Sequence, residues 1–170
     1  MVIRNTRGFS YLGLLFAVAV LGLAAAASVR AGALAQRRAA EDELLFIGRE
    51  FREALRHYRE ATPDGGPPAP HRLEDLLADP RFADRRRHLR RVYTDPLTGR
   101  AEWGLVRDRN GALLAVFSLA EGEPIRRANF RADFFHFGGA RSYRDWVFAY
   151  GVACVDTGCQ WPAGTRWSPP

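Results

Sequence analysis

The sequence predicts an α+β fold: a long N-terminal helix, transmembrane in its first half, packed on a small antiparallel sheet. Three observations carry this. Phe9 to Val29 is 21 residues without a charge. After it, apolar residues recur at helical spacing until Thr62-Pro63. Beyond that, two apolar runs flank Arg109-Asn110-Gly111, and Asn-Gly between such runs is the strongest short hairpin signal.

The uncharged run comes first in the chain. As a helix it covers roughly 30 Å, the thickness of a bilayer core. Arg4 and Arg7 precede it, and positive charge on that flank keeps that end cytoplasmic. The remainder then lies across the membrane, in the periplasm of a Gram-negative cell. The rival is a cleavable secretory signal, for which Ala24-Ala25-Ala26-Ala27-Ser28 offers an Ala-x-Ala-like site. Against that rival, the apolar run outlasts an ordinary signal core, and the helical pattern continues past it. Leu44, Leu45, Phe51, Leu55 and Tyr58 fall at helical spacing after the charges at Arg37, Arg38, Glu41, Asp42 and Glu43. One helix from about Phe9 to about Ala61 would be roughly 80 Å long, all apolar at first and amphipathic later. Segment 9–29 is thus the membrane half and 30–61 the amphipathic half.

Thr62 to Pro70 holds four prolines and two glycines, and no helix survives that. Leu73, Leu76 and Leu77 then mark a short helix stopped by Pro80, and Asp84 to Arg91 is expected to add a turn or two more. Strands are expected at Glu102–Arg107, Ala112–Leu119 and Asp145–Val152. Ala120 to Ser142 is a long excursion pinned by Phe130, Phe134, Phe135 and Phe137. The globular domain is placed at 62–160, and 161–170, with three prolines, reads as a flexible tail.

The whole chain of 170 residues suits one domain with an appendage. Its 25 basic residues are all arginine; against 19 acidic ones they leave a formal charge of +6, which permits anionic partners without requiring them. Cys154 and Cys159, the two cysteines, frame a short loop. In an oxidising compartment a disulfide is the natural reading, worth on the order of 2 kcal/mol for so small a loop. Free thiols are the alternative, and a metal would want more ligands than two thiols.

Arg7-Gly8-Phe9-Ser10-Tyr11-Leu12-Gly13-Leu14-Leu15 resembles the class III signal of type IV pilins and of the pseudopilins of type II secretion systems. Leu73-Glu74-Asp75-Leu76-Leu77, Asp95-Pro96-Leu97-Thr98-Gly99 and Trp103-Gly104 resemble a pseudopilin-like group of type II secretion system proteins. The resemblance implies a leader at 1–8, removed after Gly8 by a prepilin peptidase, and N-methylation of Phe9. Cleavage there would bring the side-chain charge to +4, since Arg4 and Arg7 leave with the leader. It further implies a pilin-like fold and a subunit of a type II secretion or type IV pilus-type filament, assembled from the inner membrane. Its partners would be other pilin or pseudopilin subunits, the peptidase and an inner-membrane assembly platform. Gly13 stands where the family usually has Glu, a residue thought to pair with a neighbour's N-terminal amine. That departure points away from an ordinary major subunit.

Arg85, Arg86, Arg87, Arg90 and Arg91 form the densest charge cluster. A solvated face, or a contact with acidic groups on neighbouring subunits, is the expectation; a DNA- or surface-binding minor pilin is the alternative reading. A membrane-anchored periplasmic binding module is the third. Asp95 is expected to cap the turn holding Pro96. His57, His71, His88 and His136 are scattered, His136 reads as a packed aromatic, and no nucleophile, base and orienting acid share a spacing. No metal, no cofactor and no enzymatic activity are expected.

Overall fold

A computed structural model describes the backbone of residues 7–151, 153–155 and 158–168, and the side chains of 11–151 and 160–166. The described chain divides into two compact units, 1–39 and 40–170. A single helix, α1, Arg7–Glu60, contributes to both. In the first unit it is the only element among the described residues, and its apolar side chains are exposed, Phe16 at 74% and Leu23 at 73%. Ser28 does not break it, because its hydroxyl donates back to the Ala24 carbonyl at 2.9 Å.

In the second unit the same helix becomes amphipathic. Leu44, Ile47, Phe51, Leu55 and Tyr58 form a stripe at 3.6-residue spacing, all at most 5% exposed. The stripe packs on a four-stranded antiparallel sheet of order β3-β2-β1-β6. Its strands are β1, Gly104–Arg107; β2, Leu113–Phe117; β3, Val147–Ala149; and β6, Arg166–Ser168. A separate ribbon pairs β4, Ala153–Val155, with β5, Gly158–Gln160. Register sorts the two sheet faces. Leu105, Val116 and Phe148 lie side by side on the face with the helix stripe. Val106 and Phe117 share the opposite face with Ala115 and Val147, where Trp161 packs. Burying each such large side chain contributes about 1.5–3 kcal/mol.

Two glycines set how closely layers approach. A Cβ at Gly48 would collide with the Phe148 ring, so the helix meets β3 only because that position is bare. Likewise, Gly104 leaves room for the ring of its cross-strand partner Phe117.

The excursion 120–142 is ordered by aromatic packing, as expected, but its four phenylalanines divide the task unequally. Phe134 and Phe137 are buried and stack at 5.1 Å, whereas Phe130 is half-buried and Phe135 is 45% exposed. Phe137 in turn stacks on Trp146 at 5.7 Å.

Three expectations need correction. The stretch 84–91 is not helical: its backbone is spent on a loop, with Asp79 donating to the Arg86 carbonyl and both His88 and Leu89 donating to that of Leu76. The short helix is a single 3-10 turn, Leu73–Leu76, shorter than the leucine spacing implied. The segment read as a flexible tail supplies β6, whose Leu105↔Ser168 to Arg107↔Arg166 pairing adds the fourth strand to the sheet.

Candidate functional site

The residues singled out by sequence fall in three separate places. Gly8 and Phe9 lie in the first turn of α1, which opens at Arg7; leader residues 1–6 lie outside the described residues, as does the Phe9 side chain. The apolar run that follows is long enough to cross a membrane, and none of its apolar window is buried. Gly13, Gly22 and Gly32 have open space where a Cβ would stand. Among the described residues of that unit nothing covers this apolar surface.

Cys154 and Cys159 sit on β4 and β5 directly opposite one another in register. The backbone ribbon therefore brings the two positions together; their sulfur atoms lie outside the described residues.

Arg85, Arg86, Arg87, Arg90 and Arg91 are all exposed, and none forms an ion pair among the described residues. Two of them rest on aromatic rings of their own chain, Arg86 over Phe82 at 4.8 Å and Arg91 over Tyr93 at 5.2 Å. These stems are supported while their charges face solvent.

Inside this loop lies a cluster that sequence reading missed. Asp79, fully buried, accepts from Arg81 Nε at 2.9 Å and Nη2 at 2.6 Å, from the Arg81 backbone N–H at 3.0 Å, and pairs with His88 Nε2 at 2.9 Å. Burial alone would push the Asp79 carboxyl up. The hydrogen bonds from Arg81 and His88 outweigh it and hold the group down at about 2. Hydrogen bonding to Asp79 in turn raises the Arg81 guanidinium. Arg81 then reaches the end of α1. It lies 3.6 Å over the Tyr58 ring and donates to the Tyr58 carbonyl at 2.7 Å, the Pro67 carbonyl at 2.8 Å and the Thr62 hydroxyl at 2.9 Å. A cation at a helix C-terminus satisfies carbonyls that the helix itself leaves open.

A second buried carboxylate works at the other end of the domain's helix. Glu41, 1% exposed, accepts the Ile125 N–H and the Tyr143 hydroxyl on Oε1, both at 2.6 Å, and the Arg126 N–H on Oε2 at 3.0 Å. It fastens the 120–142 excursion to the helix. In the sequence Glu41 stands only as one of the charges before the apolar stripe; its partners lie 84 to 102 residues away, so no local signal marks it.

Asp95 caps its turn as expected: Oδ1 accepts the Leu97 N–H at 2.9 Å, and Gly99 donates to the Asp95 carbonyl at 2.8 Å. Its other oxygen accepts the Ser118 hydroxyl at 2.6 Å, tying the turn to the end of β2. His136 is packed among aromatics, 4.5 Å from Phe137 in ring centroids, and burial, with the Arg52 charge, lowers its pKa. Among the described residues no three His, Cys, Asp or Glu side chains converge as metal ligands.

These features define an α+β protein with one N-terminal helix long and apolar enough to cross a membrane and a small antiparallel sheet packed on that helix's continuation. Comparison with protein-family models, curated proteins and solved structures gives no match.

Proposed function

We propose that the chain is a pseudopilin-like structural subunit of a type II secretion or type IV pilus-type filament, matured by removal of residues 1–8. One observation carries this reading. A single helix has an apolar half with no cover of its own, and its next turns are built into a folded domain's core. An anchor alone needs the first part and has no use for fusing it into the second. In a filament, the bare half leaves the bilayer to pack against equivalent helices of other subunits, as small residues such as Gly13 and Gly22 permit. The work is assembly, without catalysis or cofactor. The inner membrane holds the subunit as a single-pass protein with its domain in the periplasm until it joins the polymer.

Intact-mass analysis and N-terminal sequencing of the membrane-extracted protein test this. The mature chain should begin at N-methylated Phe9, and Gly8→Glu should retain the leader. A start near Ser28, or unchanged maturation of the Gly8 variant, defeats the proposal.

The exposed, unpaired arginines favour a second reading, a minor pilin that holds DNA. In that case Arg86→Ala with Arg90→Ala should weaken salt-sensitive DNA retention, lowering the slope of log affinity against log salt by about 2 for duplex DNA. No retention by the unaltered chain at low salt rejects it.

A further inference from the structure

We infer that the cleft beside the β1–β2 hairpin tip is a binding site for a small organic anion, a carboxylate carried on a flat apolar body. This stands apart from the filament reading. The cleft measures about 430 Å³, within the range of small-molecule sites. Its apolar surface comes from Leu55, Leu113 and Tyr150, with Pro67, Pro68 and Pro70 alongside. Two arginines and a histidine also line it, Arg59, Arg109 and His71, each exposed. Among the described residues none of the three side chains has a hydrogen-bond or ion-pair partner. The one carboxylate in the lining, Asp108, is occupied by the hairpin turn: its Oδ1 accepts the Asn110 and Ala112 N–H groups at 2.8 Å. The lining thus offers apolar contact and two guanidinium charges against the single carboxylate of Asp108, a net positive balance.

Glycines leave room for these groups at the cleft. Gly151, Gly164 and Gly111 all have positive φ, at 74°, 82° and 82°. A Cβ at Gly151 would collide with Arg59 Nη1, one at Gly164 would stand 3.1 Å from Arg109 Cβ, and one at Gly111 would stand 3.9 Å from His71 Nδ1. Each of Arg59, Arg109 and His71 therefore lies beside a bare turn whose backbone conformation itself favours glycine. Guanidinium groups match a carboxylate in fork geometry.

The test is isothermal titration calorimetry of the full chain in nanodiscs of zwitterionic lipid, with empty nanodiscs as the blank. The probes are 2-naphthoate and its neutral isostere 2-naphthamide. One naphthoate should bind per chain, with naphthamide about tenfold weaker or more, the ratio expected for a charge-assisted hydrogen bond. Arg59→Met and Arg109→Met should each weaken naphthoate about tenfold and leave naphthamide unchanged, while Arg59→Lys, which keeps the charge without the fork, recovers only part of the affinity. Equal affinity of the wild-type chain for acid and amide, or no saturable heat above the blank, overturns the inference; so does a double Arg59→Met, Arg109→Met variant that binds naphthoate as before. The acid-to-amide comparison needs no variant, so a substitution that unfolds the chain does not shield the idea.

Discussion

Replacing Asp79 with alanine should cost about 3–5 kcal/mol of folding stability, the range for breaking a buried ion pair by removing one partner. Arg81, whose side chain is only 6% exposed, would be left charged with no carboxylate beside it. The damage should travel, because Arg81 also holds the Tyr58 carbonyl, the Thr62 hydroxyl and the Pro67 carbonyl. Hydrogen exchange at the last turn of α1 should therefore rise along with the drop in denaturation midpoint. A loss below about 1 kcal/mol, the level of an exposed pair, would show that the cluster is not the clamp its geometry implies. The same group sets an acid limit. Its carboxyl goes from an ordinary 3.8 in the unfolded chain to about 2 in the folded one, so the unfolded state binds the proton first as pH falls. The stabilisation is whole above pH 4 and disappears as pH falls through about 2, roughly 2 kcal/mol in all. Asp79→Asn should lack that component of the acid transition, which a stability profile from pH 5 to 2 would reveal.

Glu41→Ala should cost about 3 kcal/mol or more, since it strands two backbone donors and a buried tyrosine hydroxyl at once. Its signature differs from that of Asp79. Exchange should accelerate at Ile125, Arg126 and the residues up to Ser142, while the hairpin β1–β2 stays protected until global unfolding. Glu41→Gln, which keeps the shape and one acceptor, should lose less. If the alanine variant leaves exchange across 120–142 unchanged, the phenylalanines hold that excursion unaided and the carboxylate is incidental.

How far the sequence was legible depended on whether a segment's fate was decided nearby. The helix and the hairpin were readable because their causes are local: an uncharged run, a 3.6-residue stripe, and Asn110-Gly111 with Gly111 in the left-handed conformation the turn requires. Residues 84–91 misled because arginines are good helix formers, yet the carbonyls and amides there pair with Leu76 and Asp79 instead. Strand β6 hid for a different reason. It is three residues long, lies in a segment with three prolines, and exists because β1 offers it an edge. The candidate site divided the same way. The arginine cluster and the cysteine spacing were visible in the chain; Glu41, Asp79 and the cleft depend on partners brought together only by folding.

The position of the Leu44-to-Tyr58 stripe in the core has a practical corollary for anyone wishing to work without detergent. The greasy half of the rod can be trimmed away, but the scissors must fall upstream of Ala40. A fragment starting at the proline-rich loop would contain every strand of the sheet and still lack the element around which the sheet is wrapped, and it should behave as an insoluble remnant.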